Sequence, residues 1–500
     1  MSWLLPALVA VPALGALVPL VWPRAEADRV APAVGVAVSG AAFVVSLVVA
    51  AAAWGRDGMR LESEAAWIPS LDVFWRVGVD GVSLPLVLLT TLLTLLCMVS
   101  LLRGGGPECG GERNLVATLL LLETGVLGTF VALDLVLFFL FFEVVLIPMW
   151  FVIAVWGDRH DAAGRRRAAT VFLLLTVIGS ALMLVGFLLV HAETGTFDLL
   201  VLAERGGLGM SAQTQLFAAL AIGLGLAVKA PMWPLHIWLP DAHAKAPTVG
   251  SVLLAGVLLK MGTYGFVRVW LPVVPDGARQ LAPYLACLAA VGIVYGSLAC
   301  LAQSDFKRLV AYSSVGHMGF VLLGIASMTP VGVNGALVAN IAHGLITGLL
   351  FFLAGALKDR YDSAELTVIG RGLYARSPRL AVFLAVAAFA SLGLPGLAGF
   401  WGEMLALLGA FDPAEGLPRV TFLVCMVVGG VGAVLTAAYF VHVVRRICQG
   451  EPASPGTEAT SVELAVWAPL LVLTVLLGVV PGVLLAVTDP AVQTLLGGGR

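Results

Sequence analysis

The chain has 500 residues, 60% of them hydrophobic and only 12% charged, with a formal net charge of −2 and a mean hydropathy of +1.02. Soluble domains carry about 25% charged residues, so this composition excludes an ordinary soluble fold and specifies an all-α polytopic membrane protein. A net charge so near zero offers no basic surface for a nucleic-acid partner.

A membrane span needs about 20 apolar residues. Runs of that kind occur near 3–22, 30–53, 82–103, 114–132, 134–156, 169–191, 213–244, 248–270, 281–302, 306–327, 332–357, 379–411, 418–446 and 463–487, which predicts about 14 spans. Met1 to Trp22 has neither a basic leader nor a small-residue cleavage site, so it reads as a retained span rather than a signal peptide. The segment 61–80 is too polar to span; it mixes acids with Trp67, Phe74 and Trp75 and is expected at the outer interface. The run from Asn114 to Trp156 is too long for one helix, and Asp134 marks the expected turn.

Basic residues collect in cytoplasmic loops. With the spans above, one side receives Arg24, Arg29, Arg103, Arg113, Arg159, Arg165, Arg166, Arg167, Lys245, Lys307, Arg308, Lys358, Arg360, Arg371, Arg376, Arg379, Arg445 and Arg446, which is 18 of the 28 Lys and Arg. The other side receives Arg56, Arg60, Arg76, Arg205, Arg268, Arg279, Arg419 and Arg500. The first side is therefore the cytoplasmic one, and both termini are expected to face away from it.

Two spans are abnormally long. Span 7 is interrupted by Lys229-Ala230-Pro231-Met232-Trp233-Pro234 and then Pro240; span 12 by Gly393-Leu394-Pro395-Gly396 and then Gly399. Proline removes a helix donor and clashes with the preceding turn. Irregular backbone at membrane depth survives only where protein or a water-filled cavity covers it. The breaks lie five spans apart, so spans 4–8 and 9–13 read as two units, each broken in its fourth member. An odd number of spans inverts the second unit, and paired breaks in an inverted repeat point to an ion path. The expected divisions are 1–113 (spans 1–3), 114–271 (first repeat), 272–447 (inverted second repeat) and 448–500 (the last helix).

Charges near the middle of spans cost about 2.5–3.5 kcal/mol each even on a lenient scale. Four stand out: Glu143, Lys229, Lys260 and Glu403. Glu143 at the centre of span 5 is expected to pair with Lys229 at the break of span 7; such a pair titrates as a unit, and making or breaking it moves a proton on or off the lysine. The competing reading is a structural ion pair. Lys260, mid-way along span 8, is too central to reach either interface and suits a proton relay. Glu403 follows the second break and is the expected proton outlet; the competing reading is a cap on the second half-helix. His317 and His343, central in spans 10 and 11, are candidates to bridge Lys260 and Glu403, against simple packing roles. Ser313 and Ser314 are candidates to hold water there. Glu123, His236 and His243 are secondary candidates.

The six cysteines, Cys97, Cys109, Cys287, Cys300, Cys425 and Cys448, form no C-x-x-C pair, which argues against zinc or iron–sulfur ligation. No Walker A loop or strand–GxGxxG–helix unit is present.

Four passages carry a resemblance: Phe141–Gly157 (FFEVVLIPMWFVIAVWG), Lys229–Ser251 (KAPMWPLHIWLPDAHAKAPTVGS) with Leu259-Lys260-Met261-Gly262, Lys307–Gly319 (KRLVAYSSVGHMG) and Ser391–Glu403 (SLGLPGLAGFWGE). Over essentially its full length the chain resembles the antiporter-like M subunits of bacterial NADH:quinone oxidoreductase, respiratory complex I. The second and third passages are shared by the whole proton-antiporter-like superfamily. Ile147-Pro148-Met149 is more discriminating, since sodium/proton antiporter D subunits usually lack that proline. An acid at 403 argues against the N subunit, and an ending near residue 500 against the L subunit with its lateral helix. The resemblance implies that Glu143 and Lys229 form the proton input, Lys260 the central relay and Glu403 the output, with His317 and His343 on the polar axis. It implies that quinone reduction elsewhere in the complex drives outward pumping. NADH, FMN, iron–sulfur clusters and quinone would then be bound by other subunits, with no cofactor in this chain. Its partners would be other membrane-arm subunits, including neighbouring antiporter-like ones, within the bacterial cytoplasmic membrane. The alternatives are a subunit of a multi-subunit sodium/proton antiporter, a membrane-bound hydrogenase subunit, or a scaffold whose ion pairs only hold helices together.

Overall fold

Among the described residues, 13 helices are long and apolar enough to cross a membrane. The structure is a computed structural model and describes residues 3–21, 24–71, 73–102, 111–451 and 457–497. Met1, Trp22, Arg103, Cys109 and Arg500, used in the reading above, lie outside the described residues, as does the side chain of Arg24. In chain order the helices are α1 (Leu4–Val21), α2 (Arg24–Ala53), α3 (Leu84–Leu101), α4 (Glu112–Val131), α5 (Leu135–Trp156), α6 (Ala162–Thr194), α7 (Ala212–Lys229), α8 (Thr248–Val273), α9 (Pro275–Leu301), α10 (Phe306–Ala326) and α11 (Pro330–Tyr361). They continue with α12, in two halves (Pro378–Ser391 and Ala398–Phe411), α13 (Arg419–Cys448), α14 (Ser461–Val479) and the short α15 (Gly482–Gly497). The predicted spans match α1–α14 one for one; in span 12 neither half-helix alone is long enough to cross.

Both predicted breaks are present. After Lys229 the chain turns, forms a 3-10 segment (Leu235–Trp238) and resumes as a second half-helix, Leu239–Lys245. Trp238 pins this detour by donating its ring N–H to Val228 O at 3.0 Å. The second break runs from Leu392 to Leu397. Gly393 (φ +79°) and Gly396 (φ +91°) take left-handed backbone there that a Cβ would strain. Gly393 also leaves room for the Glu403 carboxylate beside it. Each break falls in the fourth helix of a five-helix run, α4–α8 and α9–α13.

Four features were not legible beforehand. Segment 60–79 is an antiparallel hairpin, β1 (Arg60–Ile68) against β2 (Val73–Val79), with Arg76 bridging Glu64 and Asp198. Helix α5 is interrupted at Val145. Pro148 has no N–H to offer the carbonyl one turn back. Helix α8 contains two π-helical stretches, Leu254–Leu258 and Phe266–Trp270. The last span, expected over 463–487, ends at Val479, because Pro481 stops it and the separate α15 follows. Asp134 does mark the turn between α4 and α5, but it is buried and caps α5, accepting from Val136 and Leu137 N–H.

Burial sorts the helices. The most apolar stretches of α8 and α11 are wholly enclosed by protein, while α2 and α13 are mostly uncovered. Val424, Val427 and Val431 on α13 point outward, as expected for a helix facing lipid. Helices α8 and α11 pack on each other at the centre, so a polar side chain on either has only protein to meet.

Candidate functional site

Lys260 and His343 are brought together by that central packing. Lys260 lies between the two π-helical stretches of α8 and is fully buried. Such π-bulges often occur at functional sites because they turn side chains out of α-helical register. Its Nζ donates to Ala255 O at 2.5 Å and lies 2.6 Å from His343 Nδ1 on α11. Thr263, one turn on, bonds Lys260 O and Asn340 Oδ1. His343 Nε2 has no hydrogen-bond partner, and the His343 ring sits 5.7 Å from the ring of His317 on α10.

His317 closes the other end. Its Nδ1 lies 3.1 Å from Glu403 Oε1 and its Nε2 2.9 Å from Ser391 Oγ. Ser391 ends the first half of α12 and Glu403 lies in the second half, so one imidazole spans the second break. Glu403 does not cap its half-helix: Leu397 holds the N-cap position without a side-chain bond. A small cavity lies between His317, His343, Thr347, Ser391 and Glu403. Lys260, His343, His317 and Glu403 thus form one polar row through an apolar interior.

The first break is arranged differently. Lys229 is the last residue of the first half of α7, where the carbonyl end of a helix favours a cation. It is 1% exposed, and its Nζ makes no hydrogen bond. The ammonium sits over the ring of Phe142 at 4.8 Å from the centroid, with Phe172 at 6.0 Å. Glu143, the neighbour of Phe142, has Ser180 beside its carboxyl group and leaves Oε1 without a partner. The expected Glu143–Lys229 contact is therefore not closed in this structure: the two groups share a neighbourhood, with an aromatic ring holding the cation. Gly262, two residues after Lys260, packs on Leu226 O and Ala230 N at this break, where a Cβ would crowd them. That close approach brings α8 against α7.

The secondary candidates scatter. Glu123 on α4 is fully buried with neither carboxylate oxygen bonded, and it joins no hydrogen bond with the row. His243 is buried, stacks on Phe351 of α11 at 4.5 Å and leaves both ring nitrogens unbonded. His236 instead meets Tyr295 edge-on. The hydroxyls of Ser313 and Ser314 both donate to Val310 O within their own helix. Sequence reasoning missed Ser391, Asn340, Thr263 and the unbonded hydroxyl of Thr347 as members of the site. It also read Lys307 as a loop charge; the residue is buried and donates to Ala246 O. A serine or threonine in a helix is too common for composition to single out.

The family described as NADH:quinone oxidoreductase/Mrp antiporter, TM matches residues 132–435, which covers both breaks and all six principal candidates. The chain belongs to this family. Within it the chain groups with the M subunits of complex I: it is 41% identical over 490 residues to NADH-quinone oxidoreductase subunit M of Rhodobacter capsulatus, covering 94% of this chain and 91% of that one. A chain of respiratory complex I from Thermus thermophilus superposes with a TM-score of 0.87 at 31% identity, covering 99% of this chain and 100% of that chain. A chain of the Mrp complex from a Dietzia species has the same TM-score, 0.87, at 23% identity over 99% of this chain and 97% of that one, which bears on the fold alone. The chain is thus a multi-pass membrane subunit of the complex I type.

Proposed function

We propose that this chain carries protons across the bacterial cytoplasmic membrane as the M subunit of NADH:quinone oxidoreductase, along Glu143, Lys229, Lys260, His343, His317 and Glu403. The observation that carries the proposal is the row from Lys260 through His343 and His317 to Glu403, with contacts of 2.6 and 3.1 Å and a ring separation of 5.7 Å. It joins α8 of the first five-helix unit to α12 of the second. Buried ionisable groups in contact exchange protons more readily than they separate charge. Lys229, held on an aromatic face with no oxygen bonded, is poised to take or release a proton as Glu143 approaches or withdraws. Lys260 passes it to His343 Nδ1, the cavity between the imidazoles holds the water that bridges them, and His317 hands it to Glu403.

In this reading residues 114–271 and 272–447 are the two repeats, flanked by 1–113 and 448–500. Both termini face away from the cytoplasm. Electron transfer and its cofactors belong to other subunits, and the flanking antiporter-like subunits are neighbours in the membrane arm. The test is respiration-driven pumping by inverted vesicles carrying Lys229→Ala. Assembly is checked on native gels and by NADH oxidation with an artificial acceptor. Lost pumping in an assembled complex is expected; normal pumping removes Lys229 from the path, and normal pumping by Lys260→Met reduces the row to structure. Pumping that depends on sodium would favour the antiporter alternative.

A further inference from the structure

Two of the buried thiols among the described residues have ordinary surroundings: Cys97 Sγ donates to Val249 O at 3.8 Å and Cys300 Sγ to Leu309 O at 3.3 Å. Cys287 and Cys425 differ. They come from α9 and α13, 138 positions apart, and their Sγ atoms face each other at 3.8 Å. Cys287 is exposed and Cys425 is 4% exposed. The surface around them is apolar: Tyr284 and Val291 on α9, and Val424 and Val427 on α13, point outward, so the exposed thiol opens onto an apolar face of the helix bundle. The helix spacing does not depend on the thiols. Farther along the same contact Ser297 Oγ lies 3.3 Å from Thr436 Oγ1 and 3.5 Å from Gly432 O. Neither cysteine belongs to the polar row.

We infer that Cys287 and Cys425 form a dithiol modification site open to the lipid, which a lipid-borne hydroperoxide closes to an inter-helix disulfide. A neighbouring thiol captures a sulfenic acid as a disulfide, and this pair sets an exposed thiol, Cys287, against a buried one, Cys425. The Cys287 sulfur attacks the terminal peroxide oxygen; the O–O bond breaks, the thiol proton passes to the departing alkoxide, and a lipid alcohol leaves. The Cys425 sulfur then attacks the Cys287 sulfenic sulfur; the S–O bond breaks, the S–S bond forms, and the Cys425 proton leaves with hydroxide as water. Two thiols and one hydroperoxide give one disulfide, one alcohol and one water. Reaching an S–S bond of about 2.05 Å requires the sulfurs to close by about 1.8 Å.

The test uses native membranes holding the assembled complex. They are treated with cumene hydroperoxide, labelled with N-ethylmaleimide in denaturing detergent so that buried thiols react, and mapped by mass spectrometry. The expected result is a linked Cys287–Cys425 peptide pair, loss of maleimide label from both positions together, and recovery of both on reduction with dithiothreitol. In Cys425→Ser, checked for assembly on native gels, Cys287 is expected to stop at a sulfenic acid trapped by dimedone. Wild-type membranes in which Cys287 proceeds to the sulfinic acid with Cys425 still labelled would overturn the inference, as would retention of both maleimide labels after treatment.

Discussion

The two helix breaks use the same backbone device for opposite charges. At the first, Lys229 ends a half-helix and meets an aromatic ring, with no oxygen within hydrogen-bonding distance. At the second, Glu403 lies in the second turn of a half-helix and bonds His317, which also holds Ser391 across the gap. The dipole sense suits Lys229, a cation at a carbonyl end, whereas Glu403 lies past the first turn of its half-helix and depends on His317 instead. The difference is in satisfaction. The second break is a closed network, whereas the first is a charge with an open coordination sphere, and only an open one can change partners without first breaking a buried bond.

That contrast ranks the expected effects of substitution. Lys229→Ala removes the open charge, and we predict a fall in coupled proton pumping of about a hundredfold with assembly intact, measured by acidification of inverted vesicles. Lys260→Met cuts the contact with His343 and is predicted to lower pumping by about tenfold or more; unchanged rates would mean that the row is bypassed. Glu403→Gln tests the closed break. Glutamine keeps an acceptor for His317 but cannot carry a proton, so pumping is predicted to fall several-fold while thermal stability stays within about 1 kcal/mol. Equal losses of pumping and stability would instead mark Glu403 as a structural residue. Ser391→Ala removes one bond to His317, worth about 1 kcal/mol. A rate loss of no more than about fivefold is predicted, together with a shifted pH profile of pumping.

The smallest effect lies outside the membrane spans, where Lys245 reaches Asp158 and Asp161 and Lys358 reaches Asp158. Burial pushes the Asp158 carboxyl up, but Lys358 and Lys245 outweigh it and hold it below the usual carboxylate range. A lowered folded-state value stabilises above the unfolded pKa of about 3.9, and that stability is lost as pH falls through the folded value. Asp158→Asn is therefore predicted to cost up to about 1 kcal/mol near neutrality. The gap from wild type should close below about pH 4, read from melting of the solubilised complex. A gap that widens on acidification would contradict this assignment.

Much of the architecture was legible because it depends on local chemistry. Hydropathy over about 20 residues locates a span, proline and glycine locate a break, and a charge inside an apolar run announces itself. So the spans, both interruptions, the turn at Asp134 and the four central charges could be read from the chain. The partners were legible only in part: His317 and His343 stood as candidates between Lys260 and Glu403, but which imidazole meets which charge could not be read. Glu143 and Lys229 looked like a pair because they are opposite charges in one repeat, but Phe142 and Phe172 surround the ammonium, and no periodicity marks those rings among so many apolar neighbours. Ser391 was inside a quoted passage, yet only the fold shows that it meets His317.

By itself the sequence determined how often the chain crosses the membrane, where two crossings are interrupted and which side chains bear charge at depth, since each of these is a property of one contiguous segment in an apolar solvent. Tertiary structure alone decided that His343 takes Lys260 while His317 takes Glu403, that Lys229 meets Phe142, that π-helical turns flank Lys260, that residues 60–79 form a hairpin, and that Cys287 faces Cys425. Those outcomes depend on which helices pack together and at what rotation, and in a membrane protein the rotation is poorly encoded, because both the protein core and the lipid face are apolar.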